Sequence, residues 1–220
     1  MLGGAAVVES QKGLIAETRL NVKTTHSERL MTVIAETLSR SGLVPDDIDA
    51  FAAATGPGSF TGLRIGLSTV KGLCYATGKP MVGVPTLEAF AWNFPFSRLP
   101  VCLLLDARRS EVYAAVFEWR NQGFVRVMED ISVRPAELLK RLDGDILFAG
   151  DGAQVYKEEI SGIMKDRAFF APADKMVPSP ANVALLALAM AQRGEYADAA
   201  SSVPCYIRKS EAEVKLSKQS

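Results

Sequence analysis

The order of apolar and polar positions divides the chain into alternating strands and helices. Short apolar or alternating runs predict strands, and apolar residues spaced by three and four predict helices. The expected strands are 4–8, 14–22, 48–55, 81–84, 101–106, 111–119, 123–128, 146–149 and 169–170. The expected helices are 27–39, 61–77, 86–92, 135–142, 154–164 and 180–193, the last begun by an N-cap Ser179 and Pro180. Residues 93–100, with two prolines, are the expected linker.

The two halves share one order of elements. The second half is expected to run strand, strand, strand, helix, strand, helix, strand, helix, and the first half has the same order without the opening strand. This duplication resembles the actin, Hsp70 and sugar-kinase superfamily, so we expect a duplicated actin-like α/β fold with subdomains 1–97 and 98–220. An absent central strand is expected to leave unpaired backbone groups and an exposed cleft. The sequence is then expected either to start downstream of the natural start or to represent a compromised form.

Composition narrows the function. The chain of 220 residues has 25 Lys and Arg and 25 Asp and Glu, so its net charge is zero. A protein that binds nucleic acid alone usually has a basic surplus, so any RNA contact is expected to be shared with a partner. The longest apolar run, 183–191, is too short to span a membrane, and no signal peptide is evident. With three scattered cysteines, Cys74, Cys102 and Cys205, these features predict a cytoplasmic protein.

Histidine usage excludes one class of enzyme. His26 is the only histidine, so metal sites built on two or three histidines, and the metallopeptidases that use them, are excluded, whereas a carboxylate-bound Mg²⁺ is not. His26 stands beside a helix start and is expected to cap or hydrogen-bond rather than catalyse. Asp106 follows a strand near Arg108 and Arg109. It is either a general base or metal carboxylate or, as we favour, a strand-end carboxylate balanced by those cations.

A glycine-rich run, residues 56–66, follows one strand and opens a helix. Free amides at a helix N-terminus suit a phosphate group, so the candidate nucleotide or phosphate contacts are Gly56, Gly58, Ser59 and Thr61. The P-loop pattern is absent. The alternative, favoured on physical grounds alone, is a tight structural turn in which glycines permit positive φ.

Two helices carry a surplus of apolar residues. On the helix 61–77, Leu63, Leu67 and Val70 form a seam beside a groove at Gly62 and Gly66, and the helix 27–39 has a similar apolar face. We expect these faces to form a helical interface with a partner, although packing onto the protein's own sheet is the alternative. The candidate interface residues are Leu30, Val33, Ile34, Gly62, Leu63, Gly66, Leu67 and Val70.

Three runs of residues, 25–30, 56–66 and 206–213, together resemble the TsaB (YeaZ) family in order and spacing. The resemblance covers nearly the whole chain. It implies a non-catalytic partner of a TsaD-like catalytic paralogue in forming N6-threonylcarbamoyladenosine at position 37 of tRNAs that read ANN codons. It also implies a TsaE-like ATPase partner, contact with tRNA through the complex, a homodimer when alone, and ATP only in the complex.

The main alternative is an ATP-dependent phosphotransferase or ATPase of the same superfamily. Such an enzyme needs phosphate loops and an acidic metal ligand, for which the sequence offers only Asp106 and the turns at Gly56 and Gly150. The wider family is also M22 peptidase-like, but a single histidine provides no metal chemistry for peptide cleavage.

Overall fold

A computed structural model describes residues 2–21 and 26–207. The strands are β1 (Leu2–Glu9), β2 (Gly13–Asn21), β3 (Phe51–Gly56), β4 (Met81–Pro85), β5 (Val101–Arg108), β6 (Glu111–Arg120), β7 (Gly123–Val133), β8 (Ile146–Ala149) and β9 (Ala168–Phe170). The helices are α1 (His26–Arg40), α2 (Phe60–Thr77), α3 (Thr86–Ala91), α4 (Pro135–Leu139), α5 (Asp151–Val155), α6 (Lys157–Met164) and α7 (Pro180–Gln192). The predicted order of strands and helices is therefore confirmed.

The structure differs from the expected elements at a few boundaries. The single helix expected at 154–164 is two helices, α5 and α6, which meet at Tyr156 with φ of −104° and ψ of 21°. β3 begins at Phe51 rather than at residue 48. Residues Pro45–Asp47 form a 3-10 turn, and the Ile48 N–H donates a hydrogen bond back to the Pro45 carbonyl. The sequence pattern could not place these ends, since helix and strand boundaries depend on local backbone hydrogen bonds.

The described residues form two compact units. The first unit contains described residues of Met1–Gly56, Thr61–Phe90 and Pro178–Pro204, and the second contains those of Pro57–Phe60, Ala91–Val177 and Cys205–Ser220. This division differs from the predicted boundary after residue 97, since α7 is part of the first unit. α7 has no charged residue and packs against β1, β2, β3 and β4. An apolar helix needs such cover on several sides, which explains its return to the first unit.

The second unit is built on one five-stranded sheet with the order β7-β6-β5-β8-β9. β5 is antiparallel to β6 and parallel to β8, so it is the central strand. Its residues Val101, Cys102, Leu103 and Leu104 are fully buried. Helices α4 and α6 add Leu138, Ile160 and other side chains to the core of this unit.

The first unit has two separate two-stranded sheets among its described residues, an antiparallel pair β1–β2 and a parallel pair β3–β4. α1 packs against β1 and β2, where the Thr37 hydroxyl donates to Thr18 Oγ1 at 2.9 Å. α7 packs on β1 so closely that a Cβ added at Gly4 would lie 2.6 Å from Pro180 Cγ.

Helices α2 and α7 both pack against the parallel pair β3–β4. One apolar cluster joins α2 to these strands and consists of Phe51, Ala53, Leu67, Val70, Cys74 and Met81. A second cluster joins α7 to the same strands and includes Val82, Val84 and Ala187. Side chains of Met81 and Val82 point to opposite faces because they are neighbours on one strand, so α2 and α7 cover opposite faces. None of the helices within 26–207 is both long and apolar enough to cross a membrane.

Candidate functional site

The turn after β3 is fixed by hydrogen bonds within the first unit. Gly56 is buried with φ of 126°, a conformation that favours glycine. Its N–H donates to Thr86 Oγ1 at 3.2 Å, and the Thr55 hydroxyl donates to the Val84 carbonyl at 3.2 Å. The Gly56 amide is thus already used, and a phosphate would have to displace Thr86 to reach it.

The other candidate phosphate contacts differ in exposure. Gly58 is half-buried, whereas Ser59 and Thr61 are exposed. The run 56–61 therefore presents two side-chain hydroxyls to solvent at the start of α2. The hydrogen bond of the Gly56 amide fits the structural-turn alternative at Gly56, and the phosphate contacts stay a prediction.

The face of α2 that the sequence indicated as a partner surface is mainly part of the protein's own core. Leu67 is 3% exposed and Val70 is 8% exposed, and both contribute to the cluster with Phe51 and Met81. Val33 of α1 is 5% exposed. The expectation that these three residues form an accessible surface is corrected, because the strands beneath them need apolar cover and the pattern alone could not choose between two apolar faces.

Five of the candidate interface residues keep accessible surface. Leu30, Ile34, Gly62, Leu63 and Gly66 are each half-buried. A Cβ added at Gly66 would meet no atom within 4 Å, so this position on α2 is open to close approach. We call these five residues the accessible interface set.

Two exposed large side chains on the same helices lie outside the candidate interface residues. Tyr75 on α2 is 94% exposed, and Met31 on α1 is also exposed. A large aromatic side chain in full contact with water is unusual on a helix and adds apolar surface outside the core.

Two of the three runs that carry the family resemblance, 25–30 and 206–213, lie partly outside the described residues. α1 begins at His26, but Thr25 and the side chains of His26 and Ser27 are not among those described, so the predicted capping role stays a prediction. Of the run 206–213, the described residues are Tyr206 and Ile207. The Tyr206 ring stacks on Phe60 in the second unit, with ring centroids 4.8 Å apart.

Asp106 in the second unit is held in a strand-end network. Its Oδ1 accepts the backbone N–H of Arg108 at 2.9 Å, and Arg108 Nε lies 3.8 Å from Oδ2. Its own N–H donates to Asp151 Oδ1 at 3.0 Å, and the same oxygen accepts the Gly152 N–H. These contacts match the strand-end interpretation of Asp106. The described residues contain no group of three or more His, Cys, Asp or Glu placed to hold a metal ion.

Sequence reasoning missed Glu17, which binds the start of α7. Glu17 Oε1 accepts the Ser179 hydroxyl at 2.7 Å and the Ala181 N–H at 3.0 Å, and Arg19 Nε donates to it at 2.9 Å. Burial opposes ionisation of Glu17, but these three hydrogen bonds outweigh it, so the pKa of the carboxyl is lowered. Ser179 holds the N-cap position, yet Glu17 supplies the acceptor that we expected from the Ser179 side chain.

Comparison with known proteins gives the family of this chain. Residues 9–216 match the family TsaD, described as tRNA N6-adenosine threonylcarbamoyltransferase. The chain is 32% identical to the tRNA threonylcarbamoyladenosine biosynthesis protein TsaB of Bacillus subtilis, over 92% of this chain and 88% of that protein. It is 30% identical to the Escherichia coli protein of the same name, over 87% and 84%. The chain belongs to the TsaB family.

Solved structures agree with this membership. YeaZ from Pseudomonas aeruginosa superposes with a TM-score of 0.79 and 25% identity, over 93% of this chain and 94% of that chain. Component A of (R)-2-hydroxyglutaryl-CoA dehydratase from Acidaminococcus fermentans has a TM-score of 0.50 at 12% identity, which is a likeness of fold alone. With the duplicated topology, these structures confirm the predicted actin-like fold for this TsaB family member.

Proposed function

We propose that this protein takes part in tRNA threonylcarbamoyladenosine biosynthesis as a non-catalytic partner of a TsaD-like subunit. The modification is N6-threonylcarbamoyladenosine at position 37 of tRNAs that read ANN codons. The observation that carries the proposal is the similarity of nearly the whole chain to proteins named for this pathway, 32% identity over 92% of the chain. The TsaE-like ATPase, tRNA and ATP are proposed to join only in the complex.

The chemistry of the chain supports a partner role. Its single histidine, His26, cannot form a histidine pair for a catalytic metal within one chain. Asp106, the acidic candidate, accepts the Arg108 amide and lies beside the Arg108 guanidinium. Because its net charge is zero, the chain alone is expected to gain little RNA-binding affinity from the release of counterions from the phosphates. The catalytic group and most of the tRNA contact are therefore assigned to the partner.

The accessible interface set is the proposed contact surface for the TsaD-like subunit and for a homodimer of the chain alone. Gly66 has open space above it, which permits close approach of a second helix, as small residues do in other helix pairs. Leu30, Ile34 and Leu63 add partly exposed apolar area to the set. Buried Leu67 and Val70 support this surface from within rather than contacting the partner.

The pathway assignment is tested by complementation. A bacterial strain depleted of its own TsaB is supplied with this chain, and N6-threonylcarbamoyladenosine is measured in its tRNA by mass spectrometry of nucleosides. We expect the modification to return to the level given by the strain's own protein. Normal folding and expression of this chain without any return of the modification would contradict the proposal.

The interface assignment is tested with two matched glycine substitutions. Gly66→Leu in α2 should abolish co-purification with the TsaD-like subunit, because the larger side chain prevents close approach. Gly162→Leu in α6, also a helical glycine with open space around it, should leave co-purification unchanged. Equal behaviour of the two variants would place the contact surface elsewhere while leaving the pathway assignment intact.

A further inference from the structure

The second unit carries a cluster of aromatic rings near the turn of the hairpin β6–β7. Trp119 of β6 and Phe124 of β7 are cross-strand neighbours, with ring centroids 5.1 Å apart. Trp92, which follows α3, packs edge-on against both rings, at 5.6 Å from Trp119 and 5.8 Å from Phe124. All three residues are half-buried. The rings therefore form an interlocked aromatic surface that solvent reaches.

Phe96 packs against this cluster from a turn whose backbone suits another type of residue. The Ser97 N–H donates to the Phe94 carbonyl at 3.2 Å, which closes the turn. Pro95 stands at its second position and Phe96 at its third, where φ is 64°. Proline followed by a positive φ is the pattern of a type II turn, which favours glycine or asparagine at the third position. A phenylalanine there carries backbone strain, and strain of this kind is concentrated at functional sites.

The Phe96 side chain gains little from packing in return for this strain. Its ring lies against Trp119 with centroids 5.0 Å apart, but 76% of the residue is exposed. Burial in a core therefore does not explain a phenylalanine at this position. An aromatic ring that is supported from below and open to solvent above suits stacking with another planar group.

The charges around the cluster favour an anionic ligand over a cationic one. Residues 92–98 and 117–126, which carry the rings, contain three arginines and one glutamate. Two nearby carboxylates are each paired with an arginine, Glu118 with Arg120 and Asp130 with Arg126. Arg98, two residues after Phe96, is exposed and has no ion pair with a described carboxylate. An exposed ring and an exposed guanidinium in one short segment match a base and its phosphate.

We propose that Phe96 and Trp119 form a stacking site for an unpaired nucleobase of RNA, with Arg98 beside it for a phosphate. The inference rests on the proposed function in one respect, that the RNA is a tRNA. Every base has a planar π face, so stacking adds affinity without selecting a sequence. Stacking also suits a chain with zero net charge, because it does not depend on a surplus of cations as phosphate binding does.

Intrinsic fluorescence tests the stacking site directly. Trp92 and Trp119 are the two tryptophans of the chain and both belong to the cluster, so their emission reports on this place alone. The probe is a short oligouridylate, whose bases are unpaired, and the control is duplex RNA at the same nucleotide concentration. We expect saturable quenching by the oligouridylate and little by the duplex. The affinity should depend weakly on salt, with a log–log slope of about −0.7, as for one phosphate contact.

Substitutions of Phe96 separate stacking from ordinary apolar contact. Phe96→Trp should keep the affinity for oligouridylate, whereas Phe96→Leu, which stays apolar but cannot stack, should weaken it about tenfold. Phe96→Asn should weaken it as much while leaving the melting temperature unchanged, because asparagine tolerates a positive φ. Phe169→Ala in β9, which removes a ring 44% exposed outside the cluster, is the matched control and should leave the affinity unchanged.

The complex with the TsaD-like subunit extends the test to tRNA. There, Phe96→Asn should weaken tRNA binding about tenfold without preventing assembly. Absence of quenching by oligouridylate would overturn the stacking site. Full binding by Phe96→Leu would also overturn it, by marking the ring as an apolar surface for a protein, and a large loss of stability in Phe96→Asn would mark it as structural. Quenching by RNA in a chain that fails to restore the modification would support the site and contradict the pathway assignment.

Discussion

The two units of this TsaB family member have corresponding elements but different sheets. The second unit has five strands in one sheet, with β5 at the centre, and the described part of the first has two separate pairs of strands, with α7 packed against all four strands. The hairpin β6–β7 is buried along its inner strand, whereas β1 is half-exposed throughout residues 3–8. The comparison teaches that burial of a strand depends on its neighbour at least as much as on its own apolar residues.

The largest loss of stability is expected from a substitution that disturbs the close packing at the centre of the second unit. A Cβ at Gly150, which has φ of 112°, would overlap the carbonyl oxygen of Leu104 on β5. Gly150→Ala should therefore lower the free energy of unfolding by about 4 kcal/mol or more, through backbone strain and steric overlap together. Chemical denaturation measures the loss. Gly144→Ala, with φ of 71° and open space, is the control and should lose only the strain, about 1 kcal/mol.

A smaller effect is expected from the core of the first unit. Leu67→Ala should lower the free energy of unfolding by about 3 kcal/mol, because it leaves a cavity against Phe51 and Met81. The exposed Met31→Ala in α1 should change it by less than about 0.5 kcal/mol. If Leu67→Ala leaves stability unchanged but disrupts binding to the TsaD-like subunit, Leu67 belongs to the partner surface after all.

The link between β2 and α7 should make the first unit sensitive to acid. The pKa of Glu17 is lowered in the folded protein, so ionised Glu17 stabilises the fold above its ordinary value of 4.5. This contribution is lost as the pH falls below 4.5 and through the lowered pKa. Glu17→Gln should lose most of it at pH 7 and show a flatter dependence of stability on pH. An unchanged acid profile in thermal denaturation of Glu17→Gln would show that other carboxyls dominate.

The smallest change in stability is expected from two glycine-to-alanine substitutions, which are predicted to differ in their effect on self-association. Gly66→Ala in α2 and Gly162→Ala in α6 each place a methyl group in open space on a helix. Each should raise the free energy of unfolding of the isolated chain by about 0.5 to 1 kcal/mol, since alanine restricts the unfolded backbone more than glycine does. Only Gly66→Ala should weaken self-association in light scattering. A loss of association with both substitutions would remove the special role of Gly66.

Local pattern was enough to predict the elements but not the faces they bury. The alternation of residues 111–119 and the spacing in 61–77 correctly predicted β6 and α2. Helix α2 has two apolar faces, and the choice of Leu67 and Val70 for the core was made by Phe51 and Met81, which are distant in sequence. Glu17 was not predicted for the same reason, because Ser179 lies 162 positions away. A single sequence carries no direct signal of such long-range contacts.

The place of α7 in the first unit affects the order in which the protein can fold during synthesis. The ribosome makes β1 to β4 first, together with α1 and α2, but the helix α7 (Pro180–Gln192), which packs against all four strands, is made only after the strands of the second unit. The five-stranded sheet of the second unit is complete once Phe170 has been made. The unit encoded first therefore waits for its last helix, and its apolar strands stay accessible to chaperones, or to another nascent chain, while the later unit already has all its strands.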